Sequence, residues 1–140
     1  MKTKIILIGI AGLVFSAFIC LSFMNVKQDD KKKPWNVPEA SKKVKNPVKA
    51  DSESIAAGKT LYNKHCKSCH GTKGLGDGPK AKELKTPSGD LSVEINDQTD
   101  GELFYKIKEG RDDMPTFKKK IPDEEERWQV INYVRTLKKK

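Results

Sequence analysis

Apolar residues are scarce in this chain once its first 24 residues are set aside. Of the 116 residues from position 25 onward, 33 are apolar, about 28%. That is little for a packed core, so this part either takes apolar volume from a bound group or stays partly disordered. The apolar and polar alternation of a surface strand is missing as well, which argues against a β-sheet protein.

A strong excess of one charge is absent from the larger part of the chain. The formal net charge is +9, but residues 25–50 hold eight Lys against three acidic residues, whereas residues 51–140 hold 18 basic and 16 acidic side chains. The latter segment is nearly neutral and lacks the basic face with which a protein binds DNA or RNA. Nucleic acid is therefore not expected among its partners.

The long apolar run lies at the amino terminus. Lys2 and Lys4 precede residues 5–24, which are uncharged and contain 16 apolar residues. This pattern is typical of a secretory signal, and 20 residues also suffice to span a bilayer of about 30 Å. Residues 1–24 are predicted to be either a cleaved signal peptide or a membrane anchor. A lipidated Cys20 is disfavoured by the bulky residues before it.

The rest of the chain is then expected outside the cytoplasm, in the periplasm, and tethered to the cytoplasmic membrane if the leader stays attached. Residues 25–50 are rich in Lys and contain Pro34, Pro38 and Pro47, which predicts an extended tether. Trp35 is unusual in such a segment, and we expect it to lie across the surface of the domain. That domain is assigned to residues 51–140.

Three segments of residues 51–140 carry helix signals, namely a capping residue followed by apolar residues at helical spacing. They begin at Asp51 or Ser52, at Thr99 and at Pro122-Asp123. The first runs towards Cys66, and the second ends at Gly110. Residues 71–98 contain five Gly and two Pro and predict a long loop with at most one short turn of helix. The fold class is therefore all-α.

The motif with chemical content is Cys66-Lys-Ser-Cys69-His70. Cys-x-x-Cys-His is the pattern of covalent c-type haem attachment, in which the two thiols form thioethers and the imidazole binds the iron. A disulfide, a thioredoxin-type redox pair and a zinc site are the alternatives. The redox pair is expected at the start of a helix, whereas this motif follows one. A zinc site made of His65, Cys66, Cys69 and His70 is too crowded in sequence.

The sixth iron ligand is predicted by elimination. Methionine is a common second ligand of haem iron, and Met114 is the methionine that lies outside the leader region. Pro115 follows it and disfavours a helix there. Met114 as an ordinary core side chain is the alternative, although its neighbours Asp112 and Asp113 are polar.

These residues together resemble the class I cytochromes c over about residues 51–140. The resemblance rests on the helix before Cys66, the motif, the Gly-rich run after His70, the Met114-Pro115-x-Phe117 element and the aromatic last helix. It implies three main helices around one covalently bound haem c, with His70 and Met114 as axial iron ligands.

The resemblance also implies roles for individual residues. The carbonyl of Pro79 is expected to accept the Nδ1 hydrogen of His70, with a simple turn at Gly78-Pro79 as the alternative. Gly58 and Tyr62 are expected where the first helix crosses the last. The expected pocket walls are Leu91, Phe104, Ile107, Phe117 and Trp128, with ordinary helix packing as the alternative for each of them.

The function implied is one-electron transfer in a respiratory or related redox chain, with redox proteins as partners and no small-molecule substrate. The protein is then a carrier rather than an enzyme. A fixed subunit of a larger oxidoreductase complex, a haem peroxidase and a sensor remain alternatives.

Overall fold

The computed structural model describes residues 34–139, so the predicted leader lies outside the described residues. In this range the chain forms helices and a single isolated β-bridge, which confirms the all-α fold class. A 3-10 turn, Ala81–Glu83, lies in the long loop. The α-helices are α1 (Glu39–Lys42), α2 (Ser52–His65), α3 (Lys67–His70), α4 (Leu91–Glu94), α5 (Asp100–Glu109) and α6 (Glu124–Arg135). Over residues 34–139, no helix combines the length and apolar character needed to cross a membrane.

The three long helices begin at the predicted caps. The Asp51 carboxylate accepts a hydrogen bond from the N–H of Ser54, Thr99 and Glu102 form a complete capping box, and Asp123 caps α6. Each cap satisfies a backbone donor that the helix itself leaves without a partner, worth about 1 kcal/mol. Cap chemistry is local in sequence, which is why these starting points could be predicted.

Helix α6 ends before the terminal lysines of the chain. The helix ends at Arg135, and the backbone N–H of Lys139 donates to the carbonyl of Ser92 at 3.0 Å. This bond directs the chain after α6 towards α4, a four-residue helix that was not predicted. Arg135 itself forms an ion pair with Asp100 at 2.6 Å, which joins the end of α6 to the start of α5.

The two longest helices, α2 and α6, cross at Gly58. A Cβ at this position would lie 1.9 Å from the carbonyl oxygen of Gln129 and 3.1 Å from the Cβ of Tyr133. One turn further along α2, the ring of Tyr62 packs on the ring of Tyr133 with centroids 5.1 Å apart. The predicted contact of Gly58 and Tyr62 with the last helix is confirmed, and the absent side chain allows the close approach.

Residues 34–50, which we call the N-terminal strap, pack against the helices instead of forming an extended tether. Val37 is buried. The carbonyl of Lys42 accepts a hydrogen bond from the Thr99 hydroxyl at 2.9 Å, and the Asn46 amide donates to the Asn132 side chain at 2.7 Å. The Lys and Pro content predicted an extended tether, but a few specific contacts with α5 and α6 decide the conformation.

Candidate functional site

The helices and the N-terminal strap line a cavity of about 400 Å³. This volume lies in the range of small-molecule and cofactor sites. Apolar side chains make up most of the wall, among them Leu91, Ile95, Leu103, Ile107, Phe117 and Ile131. The core is built around this space, which accounts for the small number of apolar residues noted in the sequence.

The Cys66–His70 motif forms one side of the cavity. Cys66 ends α2 and begins the one-turn helix α3, where its carbonyl accepts from the N–H groups of Cys69 at 3.1 Å and His70 at 3.0 Å. All three residues line the cavity. The tight turn therefore brings both cysteines and the histidine of the motif to the same space.

The loop after the motif packs closely on the α3 turn. The N–H of Gly78 donates to the carbonyl of Cys69 at 3.2 Å, and the N–H of Lys80 donates to that of Ser68 at 2.8 Å. A Cβ at Gly78 would lie 2.4 Å from the Ser68 carbonyl oxygen, so the loop tolerates no side chain there. In addition, the buried Tyr62 hydroxyl donates to the carbonyl of Gly71 at 2.7 Å. The motif is thereby held from both ends.

The electrostatics of the thiols oppose a thioredoxin-type redox pair. Burial, with a smaller contribution from Cys69, raises the pKa of the Cys66 thiol to about 12. A redox-active cysteine needs the opposite, a lowered pKa that populates the thiolate at neutral pH. The two cysteines are not joined in a disulfide in this structure. Two cysteines that line one apolar cavity fit the attachment of a haem.

Met114 reaches the same cavity from a tight turn. Arg111 and Met114 pair through two backbone hydrogen bonds of 2.8 and 2.9 Å, and Asp112 between them has a φ of 51°. The carboxylate of Asp113 accepts from the N–H of Thr86 at 2.9 Å, which ties this turn to the loop at residues 84–88. The structure thus brings together four predicted site residues, Cys66, Cys69, His70 and Met114, around one cavity.

The predicted wall residues divide into two groups. Leu91, Ile107 and Phe117 line the cavity, whereas Phe104 and Trp128 are buried against each other with ring centroids 4.0 Å apart. Pro79 is exposed and is not among the lining residues. Its hydrogen bond to His70 therefore remains a prediction.

His65 also lines the cavity and packs edge-on against Phe117, with ring centroids 6.2 Å apart. Burial and the nearby charges of Lys64 and Lys120 lower the pKa of His65. A neutral imidazole in this position adds to the wall without bringing a charge into it.

Sequence reasoning missed that the N-terminal strap contributes to the cavity wall. Pro34 and Trp35 line it, and the Arg111 guanidinium lies over the Trp35 ring, 4.4 Å from the centroid. The isolated tryptophan in a Lys- and Pro-rich segment was the signal that pointed to this contact. Nothing in the local sequence indicated that its partner was Arg111.

An all-α fold with a Cys-x-x-Cys-His turn and a methionine on one apolar cavity defines a c-type cytochrome domain. Residues 53–134 match the family model described as cytochrome C oxidase, cbb3-type, subunit III. The chain belongs to this family. It therefore carries covalently bound haem c with its iron, and it functions in haem-based electron transfer.

A solved structure from Kuenenia stuttgartiensis, its reducing HAO-like protein complex, is similar in fold, with a TM-score of 0.60 and 28% sequence identity. The similarity covers 66% of this chain and 47% of that one, so the chain corresponds to about half of its neighbour's length. No curated protein matches the chain.

Proposed function

We propose that the protein is a one-electron carrier of a respiratory or related redox chain, with His70 and Met114 as the axial ligands of one haem c. Cys66 and Cys69 form the thioether bonds. The observation that carries the proposal is the convergence of these four side chains on one apolar cavity. The haem, when bound, supplies reversible one-electron change of its iron.

The surrounding residues set the conditions for that change. The apolar wall excludes water, which disfavours the ferric state with its additional charge, and a methionine ligand shifts the potential in the same direction. If His70 and Met114 both bound the iron, no position on it would remain open for a substrate. This supports a carrier over an enzyme acting on a small molecule.

The location is proposed from the sequence of residues 1–24, whose charged start and apolar run fit a signal peptide or an anchor. Attachment of haem c would then occur in the periplasm, with the domain held at the outer face of the cytoplasmic membrane. Redox proteins are the proposed partners, docking at interfaces of small area. Cell fractionation with and without residues 1–24 tests this location.

A fixed subunit of a larger oxidoreductase complex is the second candidate. It is favoured by the family description, which names an oxidase subunit, and by the neighbour's description as a complex. Isolation from membranes under mild conditions separates the two. A carrier is recovered alone, whereas a fixed subunit is recovered with its partner chains.

Spectroscopy of protein made in a host that attaches haem tests the site. Haem that survives denaturing electrophoresis and a weak far-red band of the ferric form are expected, and Met114→Ala should lose only the band. Covalent haem without the band in the unaltered protein would contradict Met114 ligation and favour a peroxidase or a ligand sensor. No covalent haem in the unaltered protein would contradict the whole proposal.

A further inference from the structure

The wall of the haem cavity includes a part that lies outside the family match. The match begins at residue 53, whereas Pro34 and Trp35 line the cavity from the N-terminal strap. We propose that this strap is a clasp that keeps Met114 on the haem iron, acting through the contact of Trp35 with Arg111. The inference rests on the proposed role of Met114 as an axial ligand and adds the residues that hold it there.

Arg111 connects the strap to the turn of residues 111–114, which carries Met114 and which we call the ligand turn. Its backbone forms the two hydrogen bonds to Met114 that close the turn, at 2.8 and 2.9 Å. Its side chain reaches the strap, where the guanidinium lies 4.4 Å from the centre of the Trp35 ring and Nη1 donates to the Pro34 carbonyl at 3.1 Å. Movement of Met114 away from the cavity therefore disturbs the contacts with the strap.

Two further charged groups lie close to this contact, one beside the Arg111 guanidinium and one over the Trp35 ring. The Nε of Arg111 lies 3.3 Å from a carboxylate oxygen of Asp112, the residue with the positive φ in the turn. The ammonium of Lys106 lies 5.6 Å from the centre of the same Trp35 ring. A cation over an indole face contributes about 0.5–1 kcal/mol when exposed and about 2 kcal/mol or more when removed from water. Trp35 is thus bound from α5 and from the ligand turn.

The strap also contacts the helices at points away from the cavity, and these contacts hold Trp35 in position. Val37 is buried, and a Cβ at Gly101 would lie 2.0 Å from the carbonyl oxygen of Ser41, which shows how closely α1 lies on α5. Asn46 and Asn132 join the far end of the strap to α6. A segment held at these points can restrain the Met114 turn, because the strap cannot follow it freely.

The expected consequence is resistance to ligands that compete with Met114. Imidazole binds ferric haem iron only after the methionine has left, so its apparent affinity measures how easily the turn opens. Trp35 and Arg111 are positioning residues in this scheme. Loss of their contact should raise imidazole affinity by about threefold to thirtyfold, the factor that corresponds to the strength of a cation–π contact.

The experiment titrates the full haem-loaded chain in its ferric form with imidazole and follows the far-red band. Trp35→Ala and Arg111→Gln should each raise the affinity, and Trp35→Phe should raise it less because a ring remains under the cation. The double variant should show little further increase, since both changes remove one contact. Ile55→Ala serves as the control, because Ile55 packs on the core without lining the cavity and its loss lowers stability only.

The outcomes distinguish failure of the proposed clasp from failure of Met114 ligation. Unchanged imidazole affinity in Trp35→Ala, or an equal rise in Ile55→Ala, would overturn the clasp while Met114 ligation stands. Additive effects of the two single changes would also overturn it. Absence of the far-red band in the unaltered protein would overturn Met114 ligation and the clasp together.

Discussion

The close crossing of α2 and α6 at Gly58 predicts that the substitution Gly58→Ala lowers the unfolding free energy. Alanine is the better helix former, and by propensity alone the change would stabilise α2 by about 1 kcal/mol. The new methyl group, however, would lie 1.9 Å from the Gln129 carbonyl oxygen and 2.5 Å from the Gln129 carbonyl carbon. Both atoms belong to the backbone, so the two helices must separate.

Overpacking of this kind costs about 1–3 kcal/mol and occasionally more, and a clash with backbone falls at the upper end. After subtraction of the propensity gain, we expect the haem-loaded protein to lose about 2 kcal/mol of unfolding free energy. Because α2 leads into Cys66 and α6 supplies Ile131 to the cavity wall, the separation should also widen the cavity. Urea unfolding followed by haem absorbance measures the first effect, and the haem potential reports the second.

The exposed position Ala56 on the same helix provides the matched control. Ala56→Gly should cost about 1 kcal/mol through propensity alone and leave the haem potential unchanged. If Gly58→Ala proved neutral or stabilising, the close crossing would be wrong, and with it the assignment of this glycine to helix packing.

Two further predictions concern the ends of the long loop. Tyr62→Phe removes the hydroxyl that donates to the Gly71 carbonyl at 2.7 Å, and we expect a loss of about 1–2 kcal/mol in unfolding free energy by urea because a buried acceptor loses its partner. Hydrogen bonds from Ser92, together with Lys139, lower the pKa of Asp90. The folded state therefore binds fewer protons at this carboxyl than the unfolded state. Its contribution to stability is present above the unfolded pKa of about 3.9 and is lost as the pH falls through the folded value.

Each of these two predictions has a second variant against which it is measured. For the first, Tyr105→Phe at a half-buried site on α5 serves as the control, and an equal loss in both variants would show that the Gly71 bond contributes nothing specific. For the second, Asp90→Asn keeps a capping side chain without a titrating group. Its unfolding free energy should fall less steeply than that of the unaltered protein below about pH 4. Parallel curves would contradict a lowered pKa of Asp90.

The local features of this protein could be predicted, and the long-range ones could not. Caps such as Asp51 and the Thr99–Glu102 box act within three or four residues, and the Cys66–His70 motif carries its chemistry in its spacing. Helix α4 escaped notice because it has four residues and depends partly on a backbone bond from the N–H of Leu91 to the carbonyl of Gly74 at 2.6 Å.

The N-terminal strap shows the same limit more clearly. Composition predicted an extended tether, yet the bond from Arg111 to Pro34 joins residues 77 positions apart, and the bond between Asn46 and Asn132 spans 86. Neither partner carries a local signal of the other. The isolated Trp35 was the single indication, and it predicted contact with the domain without showing which face.

The family match and the packed part of this protein begin at different residues. The match to the family model begins at residue 53. The protected interior begins earlier, since Val37 is buried and Trp35 borders the cavity. A comparison of haem environments restricted to residues 53–134 therefore leaves out the part of the cavity wall that Pro34 and Trp35 form. Differences in potential or ligand access among relatives of this protein should be sought in the segments preceding the matched region.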